Sequence, residues 1–338
     1  MCPAGPPHPL MPRRIMNNDM SSHPMSGAGP ALDAFRHVSE ASGVRRFVGP
    51  DGARVSYLTA ESPQARIGQT ILLIHGAGMS ARSWTDQLRG LAHALRVLAI
   101  DLPGHGESEP IPEATVEAYA DAARRLLDTL GTRPVFVAGH SLGGAIGLAL
   151  AARYPEMVKG LVLVSSCAKL PERNGALEGL LQSLPGPIRR ILFFSMARRI
   201  LFPLGASNRA VRLGMAELRA CRPEAIGKDV AAARAMNLEG AAQGLRVPTL
   251  ILCGTRDMLT PVALSQRLND LIPASRLHLV EGAGHMLPLE ASEPVNHEIL
   301  DFAESVVENK PRRRLPGGTT RSIVRRLFDS ARALWRRE

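Results

Sequence analysis

Val135-Phe136-Val137-Ala138-Gly139-His140-Ser141-Leu142-Gly143-Gly144 is the stretch on which the fold turns. Its first four residues form a short apolar run rich in β-formers, which reads as a strand. Residues 144–154, rich in Ala, Leu and Gly, have the apolar spacing of an amphipathic helix. Between the two lies a G-x-S-x-G pattern. A strand that turns sharply into a helix forces the serine into a strained backbone conformation and holds it out above the sheet edge. Glycines flank it because a Cβ there would collide with the neighbouring strand and helix. The competing reading of Ser141 is a serine that merely caps a helix after a glycine turn.

The same alternation extends outward in both directions. Residues 70–74, 97–100, 135–138, 161–164, 249–252 and 276–280 read as strands, and 81–94, 116–130 and 144–154 as helices. The first five strands are nearly continuous apolar runs, as expected of parallel strands covered on both faces; the sixth alternates more, which suits an edge. The spacing therefore predicts an α/β fold with a mostly parallel sheet flanked by helices. Residues 167–246 break the pattern: they show no convincing strand and are punctuated by Pro171, Pro185, Pro187, Pro203 and Pro223. They read as an inserted helical cap, because the alternation resumes after Pro248. The domain limits predicted are 1–30 for a disordered extension, 31–309 for the main domain and 310–338 for a basic tail.

Composition narrows the class. With 338 residues, 45% hydrophobic and 21% charged, the chain is neither disordered throughout, nor collagenous, nor a multi-span membrane protein. The net charge of +10 is unevenly placed: ten Lys/Arg against two acids in 310–338, thirteen against six in 167–246, and a remaining body that is mildly acidic. A nucleic-acid-binding core would carry its basic stripe on the body itself. Cys2, Cys167, Cys221 and Cys253 lie far apart, with no metal-binding or disulfide spacing. The first thirty residues lack the apolar core of a secretory signal, so a cytoplasmic location is expected. Their clustered methionines leave the biological start open, Met25 being one alternative.

A serine hydroxyl is a weak nucleophile, so acyl transfer needs a base to take its proton and a third group to orient that base. Among ten histidines, His285 alone sits in a glycine-rich loop, Glu281-Gly282-Ala283-Gly284-His285, just beyond a late strand. His278, within that strand, reads as packed or solvated and His297 as solvated. Asp257, in Gly254-Thr255-Arg256-Asp257-Met258-Leu259-Thr260-Pro261, follows another strand; its alternative role is a turn residue capping the helix that begins near Pro261. Ser165-Ser166-Cys167, after the preceding strand, offers no carboxylate. The oxyanion of a tetrahedral intermediate needs backbone N–H donors, and Leu142, the residue after the nucleophile, supplies one. His75-Gly76-Ala77-Gly78-Met79 follows an early strand, and Asp101-Leu102-Pro103-Gly104-His105-Gly106-Glu107-Ser108 is a Gly- and Pro-shaped bend.

Over about residues 44–307 these motifs, in this order, resemble the α/β-hydrolase family. The resemblance implies an α/β-hydrolase fold, a catalytic triad of Ser141, Asp257 and His285, and an oxyanion hole from Ala77 and Leu142. It implies structural roles for His75 and the 101–108 bend, with none in catalysis for His105. The expected reaction is hydrolysis of a carboxyl ester, acyl or lipid-like, through an acyl-enzyme, with a small-molecule ester as substrate. Lactone or C–C bond hydrolysis, acyl transfer, a cofactor-free peroxidase-like reaction and a non-catalytic binding role are the alternatives. Ser141 excludes an aspartate nucleophile. Neither a phosphate-loop lysine nor an early G-x-G-x-x-G is present, and nothing in the sequence calls for a cofactor or metal.

Two segments point to a partner. Residues 188–204 mix Ile191, Leu192, Phe193 and Phe194 with Arg189, Arg190, Arg198 and Arg199. The plainer reading is apolar packing with solvated arginines; the sharper one is a lid that touches lipid. Residues 319–338 place Ile323, Leu327, Phe328, Leu334 and Trp335 on one helical face, with arginines elsewhere, forming a basic amphipathic helix. Peripheral association with an anionic membrane surface is the expectation, beside docking on the chain's own domain or on a partner protein. Specific nucleic-acid binding is not expected, since no aromatic stacking platform accompanies the arginines.

Overall fold

The structure, a computed structural model, describes residues 44–49, 53–63, 65–171 and 186–308. The predicted extension at 1–30 and the basic tail at 310–338 lie outside the described residues.

Eight strands form one sheet: β1 (Val44–Val48), β2 (Val55–Ala60), β3 (Gln69–Ile74), β4 (Leu95–Ile100), β5 (Val135–His140), β6 (Val158–Val164), β7 (Thr249–Gly254) and β8 (Ser275–Val280). Their order is β1-β2-β4-β3-β5-β6-β7-β8. β2 runs antiparallel to β1 and β4, and every later pairing is parallel. The six strands read from the sequence are all present, and the alternating one, β8, is an edge, opposite β1. The antiparallel pair β1 and β2 was not expected. β1 carries Arg45 and Arg46 and is largely exposed, so it lacks the apolar run that marks the covered strands.

From β3 the chain moves to β4 on one side; it then returns to β5 on the other side of β3 and continues away from it. The crevice at the carboxyl ends of β3 and β5 is thus the topological switch point, where open α/β sheets bind ligands. Side-chain alternation explains the continuous apolar runs. Leu72, Ile74, Val135, Val137, Leu161 and Leu163 enter one hydrophobic layer, whereas Ile71, Leu73, Phe136, Ala138, Val162 and Val164 enter the other.

The helices are α1 (Thr85–Leu91), α2 (Val116–Thr129), α3 (Leu142–Arg153), α4 (Gly186–Leu201), α5 (Asn208–Ala220), α6 (Pro223–Ala235), α7 (Glu239–Gly244), α8 (Val262–Leu271), α9 (Leu287–Glu290) and α10 (Ser292–Val307). The helix expected over 81–94 is in fact a 3-10 turn, Ala81–Trp84, leading into α1. The turn is capped by Ser80, whose hydroxyl accepts from Arg82 N–H. α3 departs from the amphipathic expectation, since Leu142 through Ala151 are all buried. It lies against β5 and β6 beneath, with α2 and α7 beside it, so no face is left for solvent. Among the described residues, the insertion between β6 and β7 holds helices α4 to α7, and its one extended contact is a single bridge between Lys169 and Asn237.

Candidate active site

Ser141 closes β5 and opens α3 with φ 53° and ψ −118°, a strained setting for a residue with a side chain, and it makes no side-chain cap hydrogen bond. The plain helix-cap reading therefore fails. Close approach explains the glycines: a Cβ on Gly139 would lie 2.1 Å from Gly143 O, and one on Gly143 would lie 2.2 Å from Ile74 O. The turn is braced by its neighbours. Ser141 N–H donates to Val164 O at 2.9 Å, and Ser141 O accepts from Ser166 Oγ at 2.7 Å and Gly144 N at 2.9 Å. Leu142, first residue of α3, has an N–H with no acceptor within its own helix.

Asp257 and His285 arrive on loops that are laced together. Arg256 N–H donates to Ala283 O at 2.9 Å, Thr255 N–H to Val280 O at 3.0 Å, and Gly282 N–H to Thr255 Oγ1 at 2.9 Å. The result is a buried pair in which His285 Nδ1 lies 3.1 and 3.0 Å from Asp257 Oδ1 and Oδ2. Asp257 also accepts from Leu259 N at 2.9 Å, Thr260 N at 2.9 Å and Thr260 Oγ1 at 2.8 Å. Burial alone would raise this carboxyl, yet His285 and the Thr260 donors outweigh it and hold it below the usual carboxylate range. An ionised acceptor in that position fixes a proton on Nδ1 and leaves Nε2 free to accept one.

Two positioning residues were not singled out from the sequence. Thr260 touches Asp257, sits 3.2 Å from His285 Nδ1 and lies 3.0 Å from Ser165 O. Its signal was present, since a hydroxyl three residues after an aspartate in a turn is a recurrent partner. His140 Nε2 donates to His285 O at 2.8 Å, which ties the histidine loop to the residue next to Ser141. Burial and the neighbouring His285 push His140 down to about 3, so its ring stays neutral. Only the fold brings 140 and 285 together.

Ala77, Ser141 and Leu142 share one cavity of about 1050 Å³, walled by Val230, Met236, Met258 and Leu264 among others. Cys167 also lines it, but burial pushes its thiol up to about 12, so it carries no thiolate near neutral pH. The remaining histidines fall elsewhere. His278 is half-buried 3.4 Å from Glu298, and His297 is exposed beside Asp301. His75 and His105 are buried, the first bonded to Gly76 O and Leu102 N–H and the second to Asp229. Among the described residues no three His, Cys, Asp or Glu side chains converge on a metal position, and no helix is long and apolar enough to cross a membrane.

Comparison with known proteins agrees with this architecture. Residues 71–298 match the profile of the alpha/beta hydrolase family. A pimeloyl-[acyl-carrier protein] methyl ester esterase of Neisseria meningitidis serogroup A is 30% identical over 255 residues, covering 73% of this chain and 80% of the relative. Among solved structures, a membrane phospholipase A superposes with a TM-score of 0.68 at 26% identity, covering 81% of this chain and 91% of that one. A thermophilic esterase superposes at 0.65 with 29% identity, covering 78% and 98%.

Proposed function

The chain belongs to the α/β-hydrolase family, and from that premise we propose that it hydrolyses a carboxyl ester through Ser141, His285 and Asp257. The observation that carries the reading is a serine held at positive φ in a cavity that is also lined by Thr260, the hydroxyl in contact with the buried Asp257–His285 pair. Ser141 Oγ attacks the ester carbonyl while its proton passes to His285 Nε2. The oxyanion so formed takes hydrogen bonds from Leu142 N–H and Ala77 N–H. Collapse of the intermediate breaks the C–O bond, and His285 returns the proton to the leaving alcohol. Water, deprotonated by the same Nε2, then attacks the acyl-enzyme and regenerates Ser141. Asp257 stabilises the imidazolium at each step without taking its proton.

The substrate lies between the sheet and the insertion, which acts as a cap: Ser141 and Leu142 on one side, Val230, Ala233 and Met236 on the other, line the same cavity. These apolar walls favour an acyl chain, in keeping with the methyl ester of a carrier-bound acyl group named for the Neisseria relative. Turnover of p-nitrophenyl esters of graded acyl length, by wild type and Ser141→Ala, tests the reading. Loss of turnover in the variant supports it, and no turnover by folded wild type rejects simple esters.

A second proposal concerns location. Ile188, Ile191 and Phe193 on α4 are 49%, 70% and 41% exposed, beside exposed Arg190, Arg198 and Arg199. Apolar side chains set among cations match an anionic lipid surface. The protein is expected to co-sediment with phosphatidylglycerol vesicles at low salt and to lose that binding in an Ile191→Glu, Phe193→Glu variant. Equal sedimentation of wild type and variant rejects the surface.

A further inference from the structure

Residues Gly76 to Met79 form a tight turn, closed by Met79 N–H donating to Gly76 O at 3.2 Å. Ala77 and Gly78 occupy its central positions, and Gly78 takes φ +68°. In such turns the peptide between the central residues can rotate as a unit, and its two settings define different turn types. The rotation leaves the preceding peptide, which bears Ala77 N–H, in place, and exchanges the directions of Ala77 O and Gly78 N–H beside it.

Two side chains hold these peptides. His75 Nε2 accepts from Leu102 N–H at 3.0 Å, so its proton sits on Nδ1, which donates to Gly76 O at 2.9 Å. Burial and the neighbouring His105 push His75 down to about 4 and keep it neutral. This bond fixes the peptide that bears Ala77 N–H. The next peptide is held from elsewhere: Asp229 Oδ2 accepts Gly78 N–H at 2.9 Å.

Asp229 belongs to α6 of the insertion, and its side chain is fully buried. It is held in turn by His105 Nε2 at 2.9 Å and Tyr119 OH at 2.9 Å. Next to it on the same helix, Val230, Ala233 and Arg234 line the substrate cavity. The insertion also presses on the turn directly. A Cβ on Gly78 would fall 2.8 Å from Leu218 of α5 and 3.3 Å from Ile226 of α6, and Glu217 of α5 accepts from Ser80 Oγ just beyond the turn. A buried carboxylate is costly to keep and is matched here by three donors, one of them a backbone amide of the turn.

We propose that Asp229 is a positioning residue for ester hydrolysis: from the docked insertion its carboxylate holds Gly78 N–H and so keeps the Ala77–Gly78 peptide in the setting that turns Ala77 O away from the insertion, next to the Ala77 N–H that meets the oxyanion. The oxyanion site is then built from both sides, the turn between β5 and α3 supplying Leu142 and the insertion bracing the turn that carries Ala77. This inference rests on the hydrolase reading of Ser141.

The full-length protein and its Asp229→Asn and Asp229→Ala variants provide the test. Phosphonylation by a fluorophosphonate counts competent sites, so that rates are expressed per reactive Ser141. Three constants are then compared: kcat and KM for a p-nitrophenyl ester, Ki for a trifluoromethyl ketone that forms a tetrahedral adduct, and Ki for the product carboxylate. Asp229→Ala is expected to lower kcat per site by roughly 10- to 100-fold, short of the ~100- to 1000-fold typical of deleting a donor outright. Ki for the ketone should rise in step, while KM and the product Ki stay within about twofold. Asp229→Asn, which keeps the size and one acceptor oxygen, should show a smaller loss of the same pattern, and it carries the test if the alanine variant does not fold. Unchanged kcat per site, or a fall in kcat with no change in ketone Ki, overturns the positioning role. A wild type that neither turns over ester nor is labelled overturns the hydrolase reading and this inference with it. A labelled wild type matched in labelling rate by Asp229→Ala overturns the inference alone.

Discussion

Leu72, Leu73 and Ile74 of β3 are fully buried and sit in hydrocarbon on both faces of the sheet; Asp229 of the insertion is just as deeply buried and sits among hydrogen-bond donors. The two regions meet across the turn that follows β3. Apolar contact is non-directional and indifferent to protonation, so it supplies stability without specifying a register. Contact through a buried carboxylate is directional and conditional on charge, so it specifies register while adding little net stability. The sheet therefore carries the fold, and the insertion, which packs Phe202, Met215 and Leu218 on Met79, Met286 and Leu289, takes its register from Asp229 on His105, Glu217 on Ser80, Arg209 on Asp86 and Arg222 on Gly104 O.

That division can be broken at several strengths. Ser141→Ala and Asp257→Asn should each reduce kcat by about 10⁴-fold or more while leaving the urea midpoint of Ser141→Ala unchanged. A large stability change in the serine variant would mean that the strained elbow, rather than the sheet, governs the fold. Leu73→Ala should cost about 2–5 kcal/mol of unfolding free energy, since it leaves a cavity in the sheet layer. A cost below about 1 kcal/mol there would remove the contrast with the insertion.

The pH dependence of stability sharpens the comparison further. Burial opposes charge on His105, but the Asp229 hydrogen bond and charge outweigh it and push it up to about 10. Its folded value lies above its unfolded one, so this contribution is complete below pH ~6.5 and is lost as pH rises toward 10. His75 and His140 are displaced the other way, to about 4 and about 3. Unfolding then takes up protons below pH ~6.5, and stability falls as pH drops toward 4, by up to about 1.4 kcal/mol per pH unit for each ring. Urea unfolding across pH 4 to 10 should show a maximum near pH 6.5 to 7, and Asp229→Asn should flatten the alkaline side alone. Equal flattening of both sides would show that the insertion is not a separate titrating contact. The smallest expected effect is Arg209→Ala. This bidentate pair with Asp86 is half exposed at the arginine, and its loss should cost no more than about 1 kcal/mol, read from the same titration.

The sequence disclosed the parts whose physics is local. The strand-turn-helix around Ser141 is contiguous, and the apolar runs of β3 to β7 follow from burial on both faces, so both were legible from neighbouring residues alone. The approach of His285 to Asp257 could be expected from loop position, and the structure brings the two together. What stayed hidden depends on distant docking. Asp229 and Gly78 are separated by 151 positions, and nothing near either residue marks the other. His140 reads as the filler of its motif until β5 and the loop after β8 are placed side by side. α3 misled because its small residues mimic an amphipathic spacing, whereas a second helix layer covers the side that was expected to face water.

The position of β8 has a practical consequence. It is bonded to β7 alone and ends the sheet, and its loop carries His285. A border strand held on one side is the first to fray when the protein is warmed. His285, the proposed proton acceptor, hangs from that border, whereas Ser141 hangs from the centre. Warming is thus expected to silence the enzyme while most of its amides remain protected from exchange, so that β8 works as a thermal fuse.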